Sequence, residues 1–209
     1  GMQLLTGYAA TLDTVLSELQ ACQKGDEVFF SVYVVEHGLS SERLLAALQA
    51  AAERGVRLRL RTDCSILSSF TRLCEGTKTL ACRLKELAQK VAEMVEFDPP
   101  QIPTHMKLLV FRRASAPDVA VFGGVNFGER FRDWRDFAVR LWGSSTVDAL
   151  MASLGWSGEG ARPGGMAETL RPPLAQIRFA ANRPMRWEWP AWLLRHPFAG
   201  TFDAEREMV

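Results

Sequence analysis

Between Glu27 and Arg61 the chain reads as strand, helix, strand, and that order narrows the possible folds more than any other feature of the sequence. Glu27 to Val35 is a near-continuous apolar run rich in Val and Phe, the pattern of a strand covered on both faces. Ser40-Ser41 offers an N-cap to a helix carrying Leu44, Leu45, Leu48 and Ala52, and Gly55 closes it. Val56 to Arg61 then alternates strictly as VRLRLR. Strand, helix and strand at this spacing pair in parallel through a crossover, so the class is α/β. Arg57, Arg59 and Arg61 share one face, which reads as solvated rather than as a phosphate-binding stripe.

Upstream, Leu12, Val15, Leu16 and Leu19 predict a first helix from about Tyr8 to Gln23, with Gly25 as its stop signal. Downstream, Leu80, Leu84, Leu87 and Val91 predict a third helix. Asp98-Pro99-Pro100 and Pro103 then force an irregular connection. It leads into the stretch that concentrates the chemistry. His105 to Phe111 is apolar apart from His105 and Lys107, which lie two apart and so point to one face of a strand. An imidazole beside an ammonium suits an anion. A turn from Arg112 to Pro117 and a second apolar run, Val119 to Phe122, complete a β-hairpin. That run ends in Gly123-Gly124-Val125-Asn126, where glycines let backbone approach a ligand and Asn126 offers an amide to a phosphate oxygen. A third alternating run, Arg135 to Trp142, opens with Asp136, an acid able to fix a histidine's tautomer. A helix from Thr146 to Leu154 is expected to close the domain.

His-x-Lys, two apolar strands joined by a turn, Gly-Gly-x-Asn, and Trp134-Arg135-Asp136 together resemble the phospholipase D superfamily, most closely its cardiolipin synthase-like branch. The resemblance covers about Tyr8 to Leu150. It implies a mixed, largely parallel β-sheet flanked by helices, corresponding to one half-unit of a two-motif enzyme. Family members attack a phosphodiester with one histidine, hold a covalent phosphohistidine and release it to water or an alcohol with a second histidine, without a metal or other cofactor. Carried onto this chain, His105 is the nucleophile or acid. Lys107 and Asn126 hold the non-bridging oxygens, Asp136 orients His105, and Gly123 and Gly124 leave room for the phosphate.

Two departures follow. The family places Asp at the fifth position after the lysine, where this chain has Arg112; the nearest acid is Asp118. The second histidine motif is also missing, because neither His37 nor His196 is followed by the lysine. A homodimer that joins two copies of the motif across a two-fold axis would complete the site. The other source is a missing second half.

Composition limits the partners. A net charge of +1 gives no overall pull toward nucleic acid, and the resemblance implies a phospholipid like phosphatidylglycerol as substrate. Phosphatidyl transfer or phosphodiester hydrolysis is the leading reading. A half-size phosphodiesterase or nuclease, or a catalytically silent lipid- or protein-binding module, are the alternatives. No apolar run is long enough to span a membrane and no signal peptide is read, so the expected location is cytoplasmic, free or peripheral to the inner face of a membrane. Gly1 ahead of Met2 reads as a cleavage scar. Cys22, Cys64, Cys74 and Cys82 lack metal-site spacing and read as thiols.

Residues 1–155 are expected to form the phospholipase D-like domain and 156–209 a linker with a tryptophan-rich extension. In that extension Gln176 to Ala181 could add a strand. Trp187, Trp189 and Trp192 stand beside Arg186 and Arg195, a pairing suited to a membrane interface or, preferred here, to packing on protein.

Overall fold

A computed structural model describes residues 1–32, 35, 38–62, 86–91, 93–97 and 106–153. Its elements run β1 Met2–Thr6, α1 Gly7–Ala21, β2 Glu27–Val32, α2 Leu39–Glu53, β3 Arg57–Thr62, β4 Val95–Phe97, β5 Lys107–Arg112, β6 Val119–Gly123, β7 Phe137–Trp142 and α3 Ser144–Ser153. Residues 86–90 are also helical. The chain divides into two compact units, Gly1–Ser144 and Ser145–Val209. Of the second unit the structure describes only α3, whose Val147, Leu150 and Met151 are buried at helical spacing. The expected boundary at 155, the possible strand from Gln176 and the tryptophan-rich segment all lie outside the described residues.

The seven strands form one sheet in the order β1-β7-β6-β5-β2-β3-β4. The α/β class stands and the sheet is mixed, as expected for a half-unit. Its balance differs from the expectation of a largely parallel sheet. Among the described strands only β2-β3 and β3-β4 pair in parallel; β1-β7, β7-β6, β6-β5 and β5-β2 are antiparallel. The physical reason lies in the connections. The crossover through α2 returns the chain parallel to β2, whereas the short link β5-β6 turns β6 back beside β5, and the longer connection over residues 124–136 has no crossover helix and brings β7 back antiparallel to β6.

Helices α1 and α2 bury one face of this sheet. Tyr8, Leu12, Val15, Leu16 and Leu19 of α1, and Leu44, Leu48, Ala51 and Ala52 of α2, recur at helical spacing. They join Val28, Phe30, Leu58, Leu60, Leu109, Phe111, Val119 and Val121 in one core. Phe30, Phe111 and Phe127 are almost wholly enclosed, and burial of each side chain of this size stabilises the fold by roughly 1.5–3 kcal/mol. The other face carries Leu108, Val110, Ala120 and Leu141, also buried. Strands β1 and β4 are additions to the elements read from the sequence.

The hairpin β5-β6 sets Arg112, at the position where an acid was expected, against Asp118. The pair Phe111↔Val119 places Arg112 opposite Asp118 one step further on. Arg112 Nη1 donates to Asp118 Oδ2 at 2.9 Å, and the Arg113 N–H donates to Oδ1 at 2.9 Å. Asp118 is 2% exposed, so its charge is compensated at a buried turn. Asp26, just ahead of β2, accepts from the Gln23 and Ala114 N–H groups and ties the same turn to the centre of the sheet.

A second buried acid fastens α1. Glu18 Oε1 accepts from Arg140 Nε of β7 at 2.8 Å, while Oε2 bonds Arg113 Nη2 at the hairpin end. Cys22, one turn later, donates its thiol to the Glu18 carbonyl at 3.2 Å, and burial pushes that thiol's pKa up. Cys64, Cys74 and Cys82 lie outside the described residues.

Candidate active site

One end of the sheet gathers the site. Lys107 opens β5 opposite Val32, Gly123 closes β6 opposite Ala138, and Asp136 immediately precedes β7. Because adjacent strands run antiparallel, the start of β5, the end of β6 and the start of β7 coincide in space. His105, two residues ahead of Lys107, lies outside the described residues, as do His37 and His196.

Lys107 is only 6% exposed. Burial lowers its pKa to about 8, and the nearby Asp136 carboxylate acts in the opposite direction by favouring the ammonium. An ammonium kept largely out of water beside one carboxylate exerts a strong field on any further anion brought to it.

Asp136 is fixed through its backbone. Its carbonyl accepts the Gly7 N–H at 2.8 Å, and the next residue, Phe137, pairs with Thr6. Asp136 Oδ1 accepts the Phe137 N–H at 3.1 Å. The two glycines admit this arrangement. A Cβ at Gly124 would stand 2.7 Å from Asp136 Cγ and closer still to Oδ1. One at Gly123 would stand 2.6 Å from Ala138 Cα and run into the Phe137 carbonyl. The space beside each Cα is thus taken by β7 and Asp136, where the sequence reading left it for a phosphate. Gly124→Ala tests this. Only the end of a carboxylate side chain must move, so the unfolding midpoint should stay within a few degrees of wild type. Turnover should fall on the order of a hundredfold, the usual effect of misplacing a positioned group by about 1 Å. Unfolding curves and kcat/KM measured together check both halves.

Asn126 is 8% exposed and sits at the start of a loop held from three sides. Phe127 forms an isolated bridge with Val35. The Gly128 N–H donates to the Tyr8 hydroxyl at 3.1 Å. Glu129 Oε1 accepts from the Ser40 N–H at 2.9 Å and from the Ser40 hydroxyl at 2.7 Å. These bonds, with Arg132 at 3.3 Å, hold the Glu129 carboxyl below its ordinary range. Ser40 was expected to cap α2; the N-cap is Gly38, and Ser40 binds the loop after Asn126 instead. Tyr8, Ser40 and Glu129 are supports the sequence reading missed, since no local pattern relates residues this far apart along the chain. Among the described residues no group of His, Cys, Asp and Glu could hold a metal, and no helix is long and apolar enough to cross a membrane.

A buried lysine, an acid and a glycine-asparagine turn at one end of a mixed sheet define a phospholipase D-like domain. A family model described as "Cardiolipin synthase, PLD-like domain" matches residues 15–152, and the chain belongs to that family. Membership supports phosphodiester chemistry as the general kind of reaction. Solved structures share the fold at low identity. The phospholipase D family member Nuc from Salmonella typhimurium aligns with a TM-score of 0.51 and 16% identity, over 75% of this chain and 92% of its own. NucT from Helicobacter pylori gives 0.52 and 11%, over 75% and 92%. A phosphatidylserine synthase from Haemophilus influenzae Rd KW20 gives 0.51 and 14%, over 74% of this chain and 36% of its own. A comparison with curated protein sequences finds no match.

Proposed function

We propose that this chain transfers or hydrolyses the phosphodiester of a phospholipid through a phosphohistidine on His105, at a site completed by a second copy of the chain. The observation that carries this reading is the buried Lys107 beside Asp136, a cation positioned for an anionic group at the end of the sheet that His105 approaches in sequence. The His105 imidazole attacks phosphorus, a P–N bond forms, and the P–O bond to the departing alcohol breaks. The second copy's histidine gives that oxygen a proton. Water or an acceptor alcohol then attacks, the P–N bond breaks, and the same second histidine takes the incoming proton. Lys107 and Asn126 stabilise the charge spread over the non-bridging oxygens in both steps. Two imidazoles are needed, and in this sequence only His105 carries the His-x-Lys motif; a second copy is the source proposed here, and a second half of the protein is the alternative. An isologous contact is the simplest way to oppose two identical groups.

Quenching a reaction with phosphorus-labelled phosphatidylglycerol should leave label on the wild-type protein and none on His105→Ala. Cardiolipin or phosphatidic acid as product then separates transfer from hydrolysis. Label that survives in His105→Ala, or a chain that turns over as a monomer in sedimentation, would sink the composite site. Adduct formation only with an oligonucleotide would move the substrate to nucleic acid.

A further inference from the structure

The end of the sheet that gathers Lys107, Gly124 and Asp136 is bordered by side chains the chemistry does not use. Trp134 is 54% exposed, Phe137 57%, and Leu39, the first residue of α2, 80%. Large apolar groups left exposed along one end of a sheet suit a contact surface. The Trp134 ring is also held in place. It meets the buried Phe131 ring edge-on, with centroids 5.0 Å apart and planes at 83°. Leu39 belongs to the same border, because Ser40 beside it is bonded to Glu129. Among these groups stand Arg130, Arg132 and Arg135, all exposed. The Arg130 guanidinium lies 4.8 Å above the Phe131 ring, and 65% of the Arg132 side chain is in water.

A second copy of the chain and a lipid surface are the two occupants to weigh. The second copy that would complete the site is needed at the histidines; extending that two-fold contact over this border would also set three arginines near their own copies. Asp133 is the one acid within residues 130–135, and Glu129 is already bonded to Ser40 and Arg132. A bilayer interface matches better. Tryptophan and phenylalanine rings settle at headgroup depth, and guanidinium groups face lipid phosphates.

We propose that Leu39, Arg130, Arg132, Trp134, Arg135 and Phe137 form a docking rim for an anionic phospholipid bilayer. The rim would set the mouth of the site against the headgroups, so that a lipid reaches Lys107 without leaving the membrane. This inference rests on the phospholipid reading above.

Flotation of the full chain with phosphatidylglycerol vesicles, against phosphatidylcholine vesicles, tests it. Wild type should bind the anionic vesicles preferentially. Trp134→Ala with Phe137→Ser should weaken that binding at least tenfold. Changing the three arginines to Gln should remove the preference, each counting for about fivefold. Unfolding midpoints establish that the variants fold, and Leu39→Ser, at the most exposed position, gives a second reading if the aromatic pair does not.

Unchanged binding in every folded variant overturns the proposal. So does conversion of a dimer to monomers by the aromatic pair in vesicle-free sedimentation, which would make the rim an interface between copies. Turnover of a short-chain, water-soluble phosphatidylglycerol should be unaffected by Trp134→Ala. No turnover in any form, with rim-dependent binding retained, would remove the proposed function and leave the docking surface. Turnover on vesicles without rim dependence would do the reverse.

Discussion

Lys107→Met is expected to leave the protein more stable and almost inactive. The ammonium is buried, and its pKa of about 8, against an ordinary 10.5, means that the fold disfavours the charged form. Below pH 8 both folded and unfolded chains hold the proton and the burial cost is present in full. From pH 8 to 10.5 the unfolded chain binds more protons, so wild-type stability rises with pH, and above 10.5 the cost is gone. A gap of that width corresponds to about 3 kcal/mol. Methionine keeps the apolar stem and removes the charge, although Asp136 then loses its cation. The net gain at pH 7 should be about 1–3 kcal/mol, shrinking toward pH 10, as urea unfolding at the two pH values would show.

The same substitution removes the group proposed to hold the phosphate oxygens, and kcat/KM should fall on the order of a thousandfold. In wild type, kcat/KM should decline as pH rises through about 8. A bound anion favours the ammonium, so the corresponding limb in kcat should lie at higher pH. A less stable variant, or one that keeps its turnover, would contradict the view that stability is given up here for phosphate binding.

Glu18→Ala should have the largest effect on folding. The carboxylate is 6% exposed and engages Arg113 and Arg140 at once; their side chains are 13% and 26% exposed. Removing it leaves two arginines largely enclosed without their common counter-charge, a change that costs about 3–5 kcal/mol. The melting temperature should drop by roughly 10 °C for a domain of this size. Glu18→Gln keeps the acceptor oxygen and should lose less. A loss below about 1 kcal/mol in the alanine variant would mean that the arginines find water or other acceptors at little cost. Because Arg113 lies beside the hairpin and Arg140 lies on β7, the substitution acts at the far end of the strands from Lys107. Any remaining folded fraction should keep its specific activity.

Local pattern carried much of the fold. The helices α1 and α2, the strands β2 and β3, the β5-β6 hairpin and β7 follow from helical spacing, strand alternation and turn residues, and their ends moved by only a few residues. Pattern gave strand direction only where a crossover or a turn fixes it. Direction is legible at the β2-β3 crossover and the β5-β6 turn, but alternation in β7 is the same whichever way its neighbours run, and the largely parallel balance came with the family resemblance. Strand β1 was missed because Met2–Thr6 shows little contrast between its faces: four of its five residues are exposed and only Leu5 is buried. Its place comes from a partner, β7, that begins more than 130 residues later.

At the site, residue types and spacing singled out Lys107, Asn126 and Asp136, and the sheet brings the start of β5, the end of β6 and the residue before β7 to one end. What holds them was not legible. Tyr8 and Ser40 are unremarkable positions until the chain folds and sets them against Gly128 and Glu129.

The Asp118 arrangement has a consequence for recognising related chains. A sequence scan that insists on an acid five places beyond the lysine would discard this one. A hairpin, however, has two strands from which to supply a carboxylate, and here the acid stands just ahead of the opposing strand, bonded to the arginine that faces it. Searches that treat the two facing positions as interchangeable, accepting either acid then base or base then acid, would recover members that a linear signature leaves out.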